Sequence, residues 1–169
     1  GSRFLRAGPA YGGSCFPKDT KAITVTGDKF NTNLSIIKSV IKSNNNRLHL
    51  LLKKAESILS NKIKNKKITF LGVTFKANTD DMRGSSSLTM IPALIKKGAK
   101  IRYYDPSGEK KVFSKYKNIL FCNSLLSACM DADLVIINTE WDEFKNIDFK
   151  ALTKKKKFKI YDMRNLYSP

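Results

Sequence analysis

The chain has 169 residues, 41% hydrophobic and 27% charged, which suits a globular protein and excludes wholesale disorder. Lys and Arg number 32 against 14 Asp and Glu, a formal charge of +18 that would attract nucleic acid, acidic membranes or anionic metabolites. Only six of the 32 are Arg, and the lysines are scattered along the chain, so they read as a solvated surface and not as a nucleic-acid-binding one.

Residues 1 to about 17 are dense in Gly and Pro and read as an irregular loop. The amino terminus has no apolar core and no initiator Met, so it resembles neither a signal peptide nor a natural start. From about 18 to 62 the chain reads as helix, with Pro17 in the first turn, Asp19 at the positive end, and a break at Gly27 and Asn31 to Asn33. Leu34, Ile37, Val40, Ile41, Leu48, Leu51, Leu52, Ala55, Ile58 and Leu59 then recur at three- and four-residue spacing, an amphipathic helix of roughly seven turns. Such a helix needs a partner along its length, as an interdomain linker, a dimer seam or both. His49 lies on it without a Cys, Asp or second His at ligand spacing, and reads as a surface or packed imidazole.

Beyond residue 66 short apolar runs alternate with helical patterns. Strands are expected at 68–71, 101–104, 119–121, 134–137 and 158–161. Helices are expected near 86–97 (kinked or shortened by Pro92), 108–116, 123–130 and 148–154. This alternation predicts an α/β, Rossmann-like parallel sheet with helices on both faces. Ligands of such sheets bind beyond the carboxyl ends of the strands, which directs attention to the segment after Leu71, Asp105-Pro106, Asn138 to Glu140 and Asp162 to Arg164. No apolar run approaches the roughly 20 residues needed to span a bilayer. Cys122 and Cys129 read as small core residues, and three cysteines at no zinc spacing predict no metal and a reducing, cytoplasmic setting.

Two motifs could carry chemistry. In Gly12-Gly13-Ser14-Cys15-Phe16-Pro17-Lys18-Asp19 a thiol precedes a Pro-initiated helix, whose free N–H groups stabilise thiolate. Lys18 adds positive charge, and Asp19, four residues on, can fold back as an acid or base beside the sulfur. A structural cysteine in a glycine-rich turn satisfies the same spacing. The second motif, Gly72 to Ser86, follows a strand and precedes a helix, where Lys76 and Arg83 could clamp phosphates and Ser85 and Ser86 could cap the helix. It lacks G-x-G-x-x-G, and a solvated polar turn fits it too.

Together these segments resemble the UDP-glucose/GDP-mannose dehydrogenase family from end to end of the chain. Phe4-Leu5-Arg6 followed by Gly12 to Asp19 resembles the family's catalytic cysteine loop. Gly72-Val73-Thr74-Phe75-Lys76, Asp81-Met82-Arg83, Gly98-Ala99 and Tyr104-Asp105-Pro106 resemble its UDP-binding domain, and Asp162-Met163-Arg164-Asn165 its terminal Asp-x-Arg segment. Ala10 stands where a glycine is common, and Gly84 where an acidic residue often follows the arginine.

The resemblance implies a carboxyl-terminal fragment, with residues 1–65 carrying the cysteine loop and a central dimerisation helix, and 66–169 a UDP-sugar-binding domain. The family's amino-terminal NAD domain, a lysine and an asparagine upstream on the central helix, and an arginine before Phe4 are not in the sequence. By resemblance, UDP-glucose is oxidised to UDP-glucuronate in two hydride transfers to NAD, through a thiohemiacetal and a thioester on Cys15, with Asp19 assisting proton transfer. Phe4, Leu5, Arg6, Gly12, Lys76 and Arg164 would hold the substrate, Lys18 and Arg83 would reach NAD, and the enzyme would be a homodimer. An inactive UDP-sugar-binding fragment, or a dehydrogenase for UDP-N-acetylmannosamine or GDP-mannose, is the alternative.

Overall fold

The computed structural model describes residues 7–152 and 159–168. Helix α1 (Phe16–Lys29) begins after Cys15, which holds the N-cap position, and Pro17 sits in its first turn, where a missing N–H costs nothing. The helix runs through Gly27, where the sequence suggests a break. Gly27 is buried, and a Cβ there would come within 2.5 Å of the Leu34 side chain. It is a packing glycine, and the chain turns only afterwards, with Asn31 at φ 52°.

Helix α2 (Ser35–Ile58) spans 24 residues, close to the length its apolar spacing predicts. Its carboxyl half buries Leu51 and Ala55 in the main core, whereas its amino half leaves Ile36 80% exposed.

Five strands follow, β1 (Lys67–Leu71), β2 (Lys100–Tyr104), β3 (Ile119–Phe121), β4 (Leu134–Ile137) and β5 (Lys159–Asp162). All neighbours are parallel, in the order β3-β2-β1-β4-β5. In register, Ile68 stands beside Ile101 and Leu134, and Phe70 beside Tyr103 and Ile136. These residues share one face with Leu51 and Ala55 of α2 and with Met90, Ile91 and Leu94 of α3 (Ser87–Lys96). The alternate residues Leu71, Val135 and Ile137 face the other way, onto Cys129 of α4 (Leu125–Cys129) and Phe149 of α5 (Phe149–Leu152). Strand alternation thus buries both faces, as the near-continuous apolar runs require.

One expectation is revised. The helix expected at 108–116 is only a 3-10 turn at Lys111–Phe113. Gly108, at φ 87°, turns the chain, and the Lys110 N–H donates to the Tyr103 hydroxyl instead of to a helical carbonyl. Helix α3 (Ser87–Lys96) includes Pro92 and lies within one residue of each end of the span expected for it. Among the described residues no helix is long and apolar enough to cross a membrane.

The chain leaves β1 for β2 and β3, then crosses back to β4 and β5 on the other side. The crevice between the carboxyl ends of β1 and β4 is therefore the topological switch point, where ligands of such sheets bind.

Candidate functional site

The loop after β1 is fastened before it reaches any charged group. Gly72 turns it at φ 73°, a conformation glycine adopts without strain, and its N–H donates to the Tyr104 carbonyl at 2.8 Å. The Asp105 carboxylate, 1% exposed, accepts the N–H groups of Val73 (2.7 Å) and Thr74 (3.3 Å). Ser85 and Ser87 both donate to the Val73 carbonyl, at 2.7 and 2.6 Å. Ser86 occupies the N-cap of α3, but its hydroxyl donates to Asn138 Oδ1 and caps nothing. Ser85 Oγ also accepts the N–H of Ser87, the first residue of α3, at 3.3 Å, so of the two serines expected to cap the helix Ser85 meets a free helix N–H and Ser86 does not. Lys76 is exposed at the loop's outer end, its ammonium 5.3 Å from the centre of the Phe75 ring.

Arg164 reaches the same crevice from the end of β5. Asp162 aims it: one carboxylate oxygen accepts the Arg164 N–H at 2.8 Å, and the other accepts those of Leu166 and Tyr167 at 2.6 and 3.0 Å. The guanidinium donates from Nε to the Asn138 carbonyl (2.8 Å) and from Nη2 to the Phe75 carbonyl (2.6 Å). Glu140 Oε2 lies 2.9 Å from Nε, yet takes no hydrogen bond because that N–H is directed at Asn138. Burial pulls the guanidinium's pKa below its usual value, and the Glu140 charge opposes this. Arg164 therefore knits the loops after β1 and β4, and its Nη1 faces Gly8, where a Cβ would come within 2.8 Å of it.

The cysteine loop docks on this frame. A Cβ at Gly12 would stand 2.5 Å from the Gly84 carbonyl oxygen, and Gly13 packs under the Phe75 ring while donating its N–H to the Arg83 carbonyl at 2.7 Å. Only glycines permit an approach this close. Cys15 is exposed, with Ser14 Oγ 3.7 Å from its sulfur, and Asp19 donates its main-chain N–H to the Cys15 carbonyl at 2.8 Å. The Asp19 carboxylate pairs with Lys18 at 3.4 Å. Arg83 is held by both Asp81 carboxylate oxygens, and the hydrogen bonds from Arg83 keep the Asp81 carboxyl below its usual range.

The loops that carry Gly12 and Cys15, Lys76 and Arg83, and Arg164 are thus tied to one another at the carboxyl end of the sheet, with Lys18 and Asp19 on the first turn of α1. Phe4, Leu5 and Arg6 lie outside the described residues. Sequence reasoning named Phe75 and Asn138 only as members of their segments and gave neither a role, whereas the Phe75 ring and carbonyl join Lys76, Gly13 and Arg164, and Asn138 joins Ser86 to Arg164. It also missed Asn44 and Arg47, although a signal existed: Asn44 interrupts the apolar series Val40–Leu48 at four-residue spacing. Cys122 and Cys129 are buried, and burial raises both thiols, Cys129 to about 12. Among the described residues no three His, Cys, Asp or Glu cluster as a metal site.

Residues 69–169 match the UDP-binding domain of the UDP-glucose/GDP-mannose dehydrogenase family, and residues 1–46 match its central domain. The chain belongs to this family. It is 38% identical to a UDP-glucose 6-dehydrogenase of Rickettsia felis, a match covering 98% of this chain and 38% of the relative. One from Rhizobium meliloti is also 38% identical, over 99% of this chain and 38% of its own length. The chain thus spans about two-fifths of the length of these relatives. A UDP-glucose dehydrogenase structure from the hyperthermophilic archaeon Pyrobaculum islandicum superposes with a TM-score of 0.84 at 26% identity, covering 98% of this chain and 37% of that one. The family's UDP-binding domain accordingly contains the sheet and both of its charged loops.

Proposed function

We propose that this chain is the nucleotide-sugar half of an NAD-dependent UDP-glucose 6-dehydrogenase that oxidises UDP-glucose to UDP-glucuronate. The observation that supports the reading is the docking of the exposed Cys15 loop, through Gly12 and Gly13, on the loop after β1 that carries Lys76 and accepts Arg164 at the Phe75 carbonyl. An anionic diphosphate is what cations in such a crevice accept. Lys76 is the substrate cation with its ammonium free of carboxylate bonds in the described contacts, and Arg164 shapes the wall behind it. Gly12, with Phe4, Leu5 and Arg6 upstream, would line the sugar side.

Cys15 supplies the nucleophile. Its sulfur bonds to the aldehyde carbon of the half-oxidised sugar, and a proton reaches the carbonyl oxygen to give a thiohemiacetal. Departure of the carbon's hydrogen as hydride, together with loss of the hydroxyl hydrogen as a proton, leaves a thioester. Water then breaks the C–S bond, giving the carboxylate and returning the thiol, with Asp19 holding the proton that water loses. Lys18 and Arg83, with side chains 74% and 69% exposed, are cations suited to the phosphates of NAD. The chemistry NAD supplies, when bound, is acceptance of hydride. A homodimer fits the apolar residues that α1 and α2 leave exposed, among them Ile23, Val25, Ile36 and Leu50.

Thermal unfolding with UDP-glucose, GDP-mannose and NAD added separately tests the reading. UDP-glucose at a hundred times its dissociation constant should add about 2.7 kcal/mol of stability. A shift with GDP-mannose and none with UDP-glucose would move the assignment to another sugar nucleotide, and no shift with either would remove it.

A further inference from the structure

The geometry points to Asn44 and Arg47 of α2 as positioning residues for Cys15, an inference that deepens the reading of Cys15 as nucleophile and rests on it. Asn44 pairs with the main chain of Tyr11 in both directions: Oδ1 accepts the Tyr11 N–H at 3.0 Å, and Nδ2 donates to the Tyr11 carbonyl at 3.2 Å. Three residues on, along the same side of the helix, Arg47 donates from Nε to the Pro9 carbonyl at 2.6 Å and from Nη2 to the Gly8 carbonyl at 3.2 Å. Two side chains thus hold the main chain from Gly8 to Tyr11.

The hold extends past the thiol. The Tyr11 ring meets the Phe16 ring edge-on, with centroids 4.9 Å apart, and Phe16 directly follows Cys15. Between the two aromatics lie Gly12, Gly13, Ser14 and Cys15, and the glycine pair loses more backbone freedom on ordering than any other residues would. The Gly13 bond to the Arg83 carbonyl, at 2.7 Å, can form only if Tyr11 delivers the loop to that place. Asn44 thereby acts through Tyr11 on both flanks of Cys15, and Arg47 steadies the approach to Tyr11. Neither side chain touches the sulfur, so their effect is on placement and not on the reacting atoms.

The test uses the 169-residue chain and its variants Asn44→Ala, Asn44→Asp, Arg47→Ala and Arg47→Lys. Hydrogen exchange is read at the Tyr11 and Gly13 amides and at core amides of β1 and β4, iodoacetamide alkylation is read at Cys15, and thermal midpoints are recorded. Asn44→Ala should speed Gly13 exchange about tenfold or more while core amides stay protected. It should also slow Cys15 alkylation about threefold or more, as the thiol leaves its fixed place at the helix end beside Arg83. Asn44→Asp keeps the acceptor for the Tyr11 N–H and loses the donor to its carbonyl, so it should fall between. Arg47→Lys should restore most of what Arg47→Ala loses. Unchanged Gly13 exchange and Cys15 alkylation in Asn44→Ala would overturn the inference. So would lower thermal midpoints with faster exchange in β1 and β4 alike, which would assign both residues to general stability. Failure to bind UDP-glucose would count against the proposed function and leave both of these readouts intact.

Discussion

The three cysteines differ by placement alone, and that difference is measurable. Cys15 is exposed at the N-cap of α1, while Cys122 and Cys129 are buried, with Cys129 pushed up to about 12. Thiolate is the reactive form, so a buried thiol held that high is nearly inert at neutral pH. Brief iodoacetamide treatment with peptide mapping should label Cys15 first, and equal labelling of all three would deny the loop its role. The Asp81–Arg83 bracket gives a second test. Asp81 is held below the usual carboxylate range by the Arg83 hydrogen bonds, so its folded value lies under its unfolded one. The pair's contribution is therefore present above the ordinary aspartate value of about 4 and is lost as pH falls through the depressed folded value. Carbon NMR titration of the Asp81 carboxyl should show a midpoint below the ordinary value, and Arg83→Ala should raise it.

The site is built by short elements that pin one another. Asp105 closes β2 onto the loop after β1 by accepting Val73 and Thr74 N–H groups on one oxygen and Ser107 N–H on the other. In Asp105→Asn one of those sets meets an amide N–H₂ in a buried place, at a cost of about 1–3 kcal/mol. Urea denaturation should report that loss, and unchanged stability would mean the loop is held by its serines alone. The strands were legible because apolar runs buried on both faces have few alternatives, and Pro17 and the glycines marked the cysteine loop. The helix expected at 108–116 failed because Gly108 turns the chain at positive φ and the Lys110 N–H goes to the Tyr103 hydroxyl of β2 instead of to a helical carbonyl. The fastenings of Arg164 were hidden for a different reason. Main-chain carbonyls of Phe75 and Asn138 leave no mark in side-chain identity. Lys76 and Arg83 were legible as charges after a strand, but nothing local in the sequence announced that Gly12 and Gly84 would touch.

Across the whole molecule, a charge of +18 will draw any nucleotide weakly, so binding alone does not establish a site. What the fold adds is location, since parallel strands place the loops after β1, β4 and β5 together at one end. Lys76 lies at that end, and Lys117, just before β3, lies at the opposite end and is also exposed. The net charge falls equally in Lys76→Ala and Lys117→Ala, and only the first removes a cation from the end of the sheet where the proposed site lies. Calorimetric titration of UDP-glucose into the chain and these two variants, at about 0.15 M ionic strength to screen diffuse attraction, tests the site directly. The account predicts saturable binding that Lys76→Ala weakens by about 1.5–3 kcal/mol and Lys117→Ala leaves unchanged. Equal losses in the two variants, or no saturable binding at all, would contradict a UDP-sugar site at the switch point.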